Sequence, residues 1–192
     1  MLTLTNSTVS GNSAGVCGIC SNTGGGVSNS GTLTLTNSTV SGNSAFGGGV
    51  YNTGTLTVTR ALISGNTAPF YNDPSEVAIG GTAATIVANN HHDGDAGVVG
   101  FSPGSTDLVP SEDLSAILNA TLADNGGPTR THALIAGSPA IDASPDDADC
   151  AATDQRGVRR PQRAACDIGA FEASRKSPCR PRRRGGHRLC FR

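Results

Sequence analysis

Leu33-Thr-Leu-Thr-Asn-Ser-Thr-Val-Ser-Gly-Asn-Ser-Ala45 repeats Leu2 to Ala14 without one substitution, and it returns in altered form as Leu56-Thr-Val-Thr-Arg-Ala-Leu-Ile-Ser-Gly-Asn-Thr-Ala68. The last asparagine of each copy marks the period. Asn12, Asn43 and Asn66, with Asn89 closing a degenerate fourth copy, lie 31, 23 and 23 residues apart. The unit is therefore 23 residues, and an insertion of eight, Gly15 to Asn22, lengthens the first. Beyond it, Thr23-Gly-Gly-Gly-Val27 matches Phe46-Gly-Gly-Gly-Val50, and Ser28-Asn-Ser-Gly-Thr32 matches Tyr51-Asn-Thr-Gly-Thr55. Repetition at a fixed period of this length is the signature of a stacked repeat architecture.

Within each unit Leu or Val alternates with Thr (Leu33, Leu35; Leu56, Val58), the two-residue period of a strand with one buried face. One unit cannot close a core by itself, whereas stacked units place Leu over Leu and Val over Val at the strand spacing. Short strands, tight Gly/Asn corners and no helix between copies predict an all-β chain folded as a parallel β-helix, a solenoid. The Leu-x-x-Leu-x-Leu signature of a leucine-rich repeat is missing. Asn12, Asn43, Asn66 and Asn89 are expected to stack at one corner as a ladder of amides. The earlier Asn6/Asn37 column ends at Arg60. A disordered polar linker is the competing reading of this Ser/Thr/Gly/Asn-rich stretch, and the regular apolar spacing argues against it.

Composition sets the wider limits. The chain has 192 residues, 36% apolar, 15% charged and 4% aromatic, within the range of one domain. The net charge of −1 hides an asymmetry: residues 1–72 hold one charged side chain, Arg60, and the first acid is Asp73. Ala173 to Arg192 carries eight of the fourteen basic residues and no acid. The body is thus acidic and the tail basic. No apolar run is long enough for a membrane span, and no signal-peptide pattern follows Met1. The expected organisation is β-helix coils over 1–100, a connection over 101–123 with a short helix at Ser111 to Leu122, a capping block over 124–172, and a basic tail over 173–192.

From Asp124 the texture changes. Leu122-Ala-Asp-Asn-Gly-Gly-Pro-Thr129, Thr131-His-Ala-Leu134, Gly137-Ser-Pro-Ala-Ile-Asp142, Asp154-Gln-Arg-Gly157, Arg160-Pro161 and Cys166-Asp-Ile-Gly-Ala-Phe-Glu172 follow in order. This series resembles the C-terminal signature of the choice-of-anchor Q domain, and the upstream repeats resemble those of polymorphic outer membrane proteins. The resemblance covers residues 2 to 172. It implies a right-handed β-helix of bacterial surface or secreted proteins, located extracellularly or on the cell surface. The Cys-Ser-Leu-Arg-Glu-Ala element that often opens relatives is absent, so the chain reads as the C-terminal part of a longer protein, and Ala173 to Arg192 reads as a spurious extension.

The block is expected to act as a lid over the open end of the core. Asp142, Asp154, Arg156 and Asp167 are assigned structural roles, with Asp154 and Arg156 paired; a cation or ligand site is the alternative. Cys150 and Cys166 close a loop of about 15 residues, where a disulfide contributes roughly 3 kcal/mol, and pairing is the expectation in an exported protein. Cys17-Gly-Ile-Cys20 reads as a local disulfide or as inert thiols rather than a redox or zinc motif. His91, His92, Asp93 and Asp95 are the metal-ligand candidates, with calcium the cation considered, against a solvated loop. No other cofactor is expected.

Function follows from where charge is missing. Polysaccharide lyases and hydrolases built on β-helices need paired acids and bases, and the first three coils supply none. Outward Thr3/Thr5, Thr34/Thr36 and Thr57/Thr59 would instead form a flat hydroxyl lattice suited to weak multivalent contacts with glycans or a neighbouring cell surface, or to a passive spacer. The expectation is a monomeric, non-enzymatic surface module with no specific nucleic-acid partner, the basic tail being a solvated segment. The alternative is part of a polysaccharide-processing enzyme whose catalytic coils lie upstream.

Overall fold

The computed structural model describes residues 1–15, 24–45, 47–68, 76–79, 84–86, 91–92, 98–99, 107–108, 114–144 and 150–174. Among the described residues, twelve strands in four circuits are followed by one short helix. The first circuit is β1 (Leu2–Thr5), β2 (Thr8–Ser10) and β3 (Val27–Asn29); the second is β4 (Thr32–Thr36), β5 (Thr39–Ser41) and β6 (Val50–Asn52). The third is β7 (Thr55–Thr59), β8 (Leu62–Ile63) and β9 (Val77–Ile79), and the fourth is β10 (Ala84–Ile86), β11 (His91–His92) and β12 (Val98–Val99). Strands one circuit apart pair in parallel, giving three four-stranded sheets ordered β1-β4-β7-β10, β2-β5-β8-β11 and β3-β6-β9-β12. The chain is all-β, and it visits the three sheets in turn.

Register follows the repeat. Leu2 lies beside Leu33 and Leu33 beside Leu56, while Val9, Val40 and Ile63 form a second column and Val27, Val50 and Val77 a third. These columns meet in one apolar core that includes Leu33, Leu35, Val40, Val50, Leu56, Val58 and Ile63. A slip of one residue would turn every Leu outward and every Thr inward, so the apolar alternation fixes the pairing.

Two of the three corners depend on left-handed backbone. Between the first and second sheets Asn6, Asn37 and Arg60 have φ of 48°, 48° and 52°; after the second sheet Gly11, Gly42 and Gly65 have φ of 70°, 67° and 73°. Asparagine and glycine adopt this region at little cost. Arg60 interrupts the asparagine column in side-chain type only, because its backbone turns as its predecessors do.

The C-terminal block is expected as a lid over the open end of the core, and what the described residues record is its contact with the flank. Its described contacts run along the side of the stack, on the outer face of the second sheet, and reach three circuits. Asn6 Nδ2 donates to the Thr153 carbonyl (2.9 Å) and Thr8 Oγ1 to Gln155 Oε1 (2.6 Å) in the first. Ala170 N donates to Thr39 Oγ1 (3.0 Å) in the second, and Gly169 N to the Arg60 carbonyl (3.0 Å) in the third. The reason lies in the outward column Thr8, Thr39 and Leu62, which turns apolar in the third circuit. Leu62 is buried with Ile117, Leu118, Ala140 and Ile168 in a second core between sheet and block.

The helix is shorter than its apolar spacing predicts. It is α1 (Leu114–Ile117), four residues, with Ser111 to Asp113 outside the described residues. Downstream, the backbone of 117–123 bonds across to 131–135 instead of to itself: Asn119 N to the Ala133 carbonyl, Ile135 N to that of Ile117, and Ala123 with Thr131 in both directions. Leu114, Ile117 and Leu118 still pack together, which accounts for the helical spacing of the pattern.

Candidate functional site

The outer face of the first sheet is the broadest candidate. Thr3, Thr34 and Thr57 form one rank across it and Thr5, Thr36 and Thr59 another. Adjacent strands lie about 4.8 Å apart, and alternate residues along a strand about 7 Å apart. Thr3 and Thr5 are exposed and Thr34, Thr36, Thr57 and Thr59 half-exposed. Among the described residues, no hydrogen bond from these side-chain hydroxyls to the protein is found. Strands β1, β4 and β7 contain no charged side chain, so the face offers methyl and hydroxyl groups only. Such a surface can hold a neutral polar partner, and it has no group able to transfer a proton near neutral pH.

The asparagine ladder is internal. Asn12 donates its backbone N–H (3.1 Å) and Nδ2 (2.9 Å) to Asn43 Oδ1, and Asn43 does the same to Asn66 Oδ1 (3.0 and 2.8 Å). The rung expected from Asn89 is supplied by Glu76, whose carboxylate accepts from Asn66 N and Nδ2; Asn89 itself lies outside the described residues. The glycine triplets pass over this column: a Cβ on Gly26 would lie 3.0 Å from Asn43 Nδ2, and one on Gly49 2.6 Å from Asn66 Nδ2. A second pair stacks at the third corner, Asn29 Nδ2 donating to Asn52 Oδ1. It was legible in the alignment of Ser28-Asn-Ser-Gly with Tyr51-Asn-Thr-Gly, whereas Glu76 stands before Val77 where the other circuits have Gly26 and Gly49.

In the C-terminal block the assigned charges converge. Asp154 accepts from Arg156 N, Val158 N and Glu172 N and forms an ion pair with the Arg156 guanidinium at 2.7 Å. That guanidinium also donates to the carbonyls of Asn125 and Glu172 and stands 3.6 Å over the Phe171 ring. Asp142, itself at a φ of 53°, accepts from Ala165 N, and its own N–H donates to Asp167 Oδ1. Asp167 Oδ2 accepts from Ala173 N. Sequence reading missed two participants. Arg160 donates to the carbonyls of Asp167 and Gly169 and faces Glu172 at 3.8 Å; Glu172 accepts from Gln162 N and Asp167 N.

Burial pushes the Asp167 and Glu172 carboxyls above their usual range and the Arg160 guanidinium below its own. These acids are enclosed and bound to backbone N–H groups, so they hold loops together instead of facing a substrate. Cys150 and Cys166 form a disulfide with their Cα atoms 6.3 Å apart, tying one end of the network to the other.

His132 also escaped the sequence reading. Its Nδ1 lies 2.8 Å from the Asn119 carbonyl, which can only accept, so Nδ1 donates there, while Nε2 shares a 2.7 Å hydrogen bond with Ser10 Oγ. This buried ring clamps the block to the first circuit.

His91 and His92 form β11, in register with Leu62 and Ile63, while Asp93 and Asp95 lie outside the described residues, as do Cys17 and Cys20. Among the described residues no group of three potential metal ligands comes together. Asn37, the acceptor position of one glycosylation sequon, is buried. No described helix is long and apolar enough to cross a membrane. Comparison with protein-family models, with curated proteins and with solved structures returns no match.

Proposed function

We propose that this chain is a non-enzymatic module of a bacterial surface or secreted protein, a right-handed parallel β-helix of the choice-of-anchor Q kind whose threonine face makes weak, repeated contacts with glycans. The observation that carries this reading is the uncharged double rank of threonines, Thr3/Thr5, Thr34/Thr36 and Thr57/Thr59, held in register by parallel pairing. Many equivalent weak contacts on one rigid face add up through effective concentration. Right-handedness is supported by the strong preference of parallel crossover connections for that hand. The family assignment is supported by the ordered motifs between Leu122 and Glu172, several of which supply the buried network. Extracellular placement accords with the Cys150–Cys166 bond, since disulfides persist in oxidising compartments.

The test incubates the full chain with a panel of plant and bacterial polysaccharides, recording bound fraction and newly released reducing or unsaturated ends together. Binding without release, weakened when Thr34 and Thr57 are both replaced by Lys, is the expected result. Release from any polysaccharide overturns the non-enzymatic reading. Absence of binding overturns the glycan reading and leaves a spacer.

A further inference from the structure

Of the three outer faces of the stack, one is both open and regular. The second sheet meets the C-terminal block at Thr39 and Leu62, and the third presents Ser28, Tyr51 and Ala78 in one register column, three unlike side chains. On the first sheet Thr32 lies beside Thr55, Thr34 beside Thr57 and Thr36 beside Thr59, and Thr3 and Thr5 extend two of these ranks. The third copy of the repeat exchanges Asn37, Ser38 and Thr39 for Arg60, Ala61 and Leu62, yet keeps every threonine of this face.

The face is rigid and uncharged. Leu33, Leu35, Leu56 and Val58, which alternate with these threonines, are buried, so the core holds the backbone beneath them. Threonine is stiff at χ1, and its hydroxyl and methyl groups therefore repeat with the backbone. Their spacings are about 4.8 Å across the strands and about 7 Å along them. Arg60, which directly follows Thr59, is buried and brings no charge to this surface.

Ice and liquid water present the same donors and acceptors, so a protein can prefer ice only by geometry. Water oxygens on the prism face of hexagonal ice form a rectangular grid whose two repeats are close to the strand spacing and the two-residue rise. Charged side chains hold hydration shells that do not fit such a grid, whereas hydroxyl and methyl groups can share in it. We infer that the threonine face of the first sheet is an ice-binding surface whose ligand is the crystalline water lattice. Each hydroxyl takes a place in the outermost water layer, and each methyl lies between water positions. Single contacts are weak, and they act together because the grid is rigid. This is a further activity of the face, independent of whether it contacts glycans.

The test freezes a dilute solution of the fluorescently labelled full chain slowly onto a cold probe and compares protein concentration in ice and in liquid, with an unrelated protein of similar size as reference. Enrichment in ice at least about tenfold over the reference is expected. Thr34→Lys with Thr57→Lys returns the chain to the reference level. Thr34→Ser with Thr57→Ser keeps both hydroxyls, removes two methyls and lowers enrichment by at least about threefold. Thr121→Lys, at an exposed position away from the sheet, leaves it unchanged. Circular dichroism melts establish that each variant is folded, and the Ser pair decides if the Lys pair is not. Exclusion of the parent chain from ice at the reference level overturns the inference, whatever the polysaccharide panel shows. Enrichment that persists in the folded variants of the face also overturns it, because another surface then holds the ice.

Discussion

Asn66 donates its backbone N–H and its side-chain Nδ2 to the two carboxylate oxygens of Glu76, at 3.1 and 2.5 Å. A column whose amides all donate in one direction needs an acceptor at that end. A carboxylate is acceptor-only, which suits the position as an amide does not. Glu76→Ala leaves two buried donors of Asn66 without these partners and is expected to destabilise the chain by about 3 kcal/mol. Glu76→Gln keeps one acceptor oxygen and turns an NH2 toward a donor, for about 1–2 kcal/mol. Urea denaturation ranks the two; equal losses would show that the polarity of the column is unimportant.

Gly49 runs so close to the ladder that a methyl group there meets Asn66 Nδ2 and the Glu76 carbonyl at 2.6 and 2.8 Å. Gly49→Ala is expected to lower stability by about 1–3 kcal/mol through overpacking. Gly31→Ala, whose nearest new contact is Asn29 Oδ1 at 4.0 Å, should stay within about 0.5 kcal/mol of the parent. Comparing their denaturation midpoints separates close approach from a general aversion to alanine.

Arg156 makes a forked contact with Asp154, reaches two carbonyls and covers Phe171. Lysine keeps the charge and loses the planar fork and the stacking, so Arg156→Lys is expected to cost about 1–3 kcal/mol. The corresponding readout is the thermal midpoint of the full chain. An unchanged midpoint would mean that charge alone holds the loop.

Asp167 and Glu172 are raised from ordinary values of 3.8 and 4.5, mainly by desolvation. A carboxyl with a raised folded pKa binds more protons in the native state across the interval between its unfolded and folded values. Its contribution to stability is therefore present below the ordinary carboxylate range and is lost as pH rises through the shifted value. Asp167→Asn and Glu172→Gln should each flatten that decline. Stability profiles of parent and variants that run parallel from acid to neutral pH would refute the sign.

The repeat made the core columns and the Asn12/Asn43/Asn66 corner legible, because each depends on residues that recur at a fixed spacing. Glu76 was not legible: it replaces the last glycine of the triplet, 10 residues after Asn66, so no residue type recurs there. The flank position of the C-terminal block was hidden for a related reason. It turns on Leu62, an apolar residue that follows Thr8 and Thr39 in their register column, and on hydrogen bonds joining residues as far apart as Asn6 and Thr153. The charges of the block could be named singly, but their convergence depends on a chain path that alternation does not encode. Arg160 and Glu172 stood in the sequence as motif residues without a geometric partner.

A stack of repeats ordinarily behaves as a row of dominoes, each unit answering only to its neighbours, so that unfolding can begin at an end and travel. The side-lying block changes that rule here, since Gln155, Ala170 and Gly169 bond to the first, second and third circuits at once. It acts as a splint: the first circuit cannot peel away without breaking bonds to a segment that also grips the third. Long-range cooperativity that repetition alone would not confer is the expected consequence, with these circuits sharing a single melting transition.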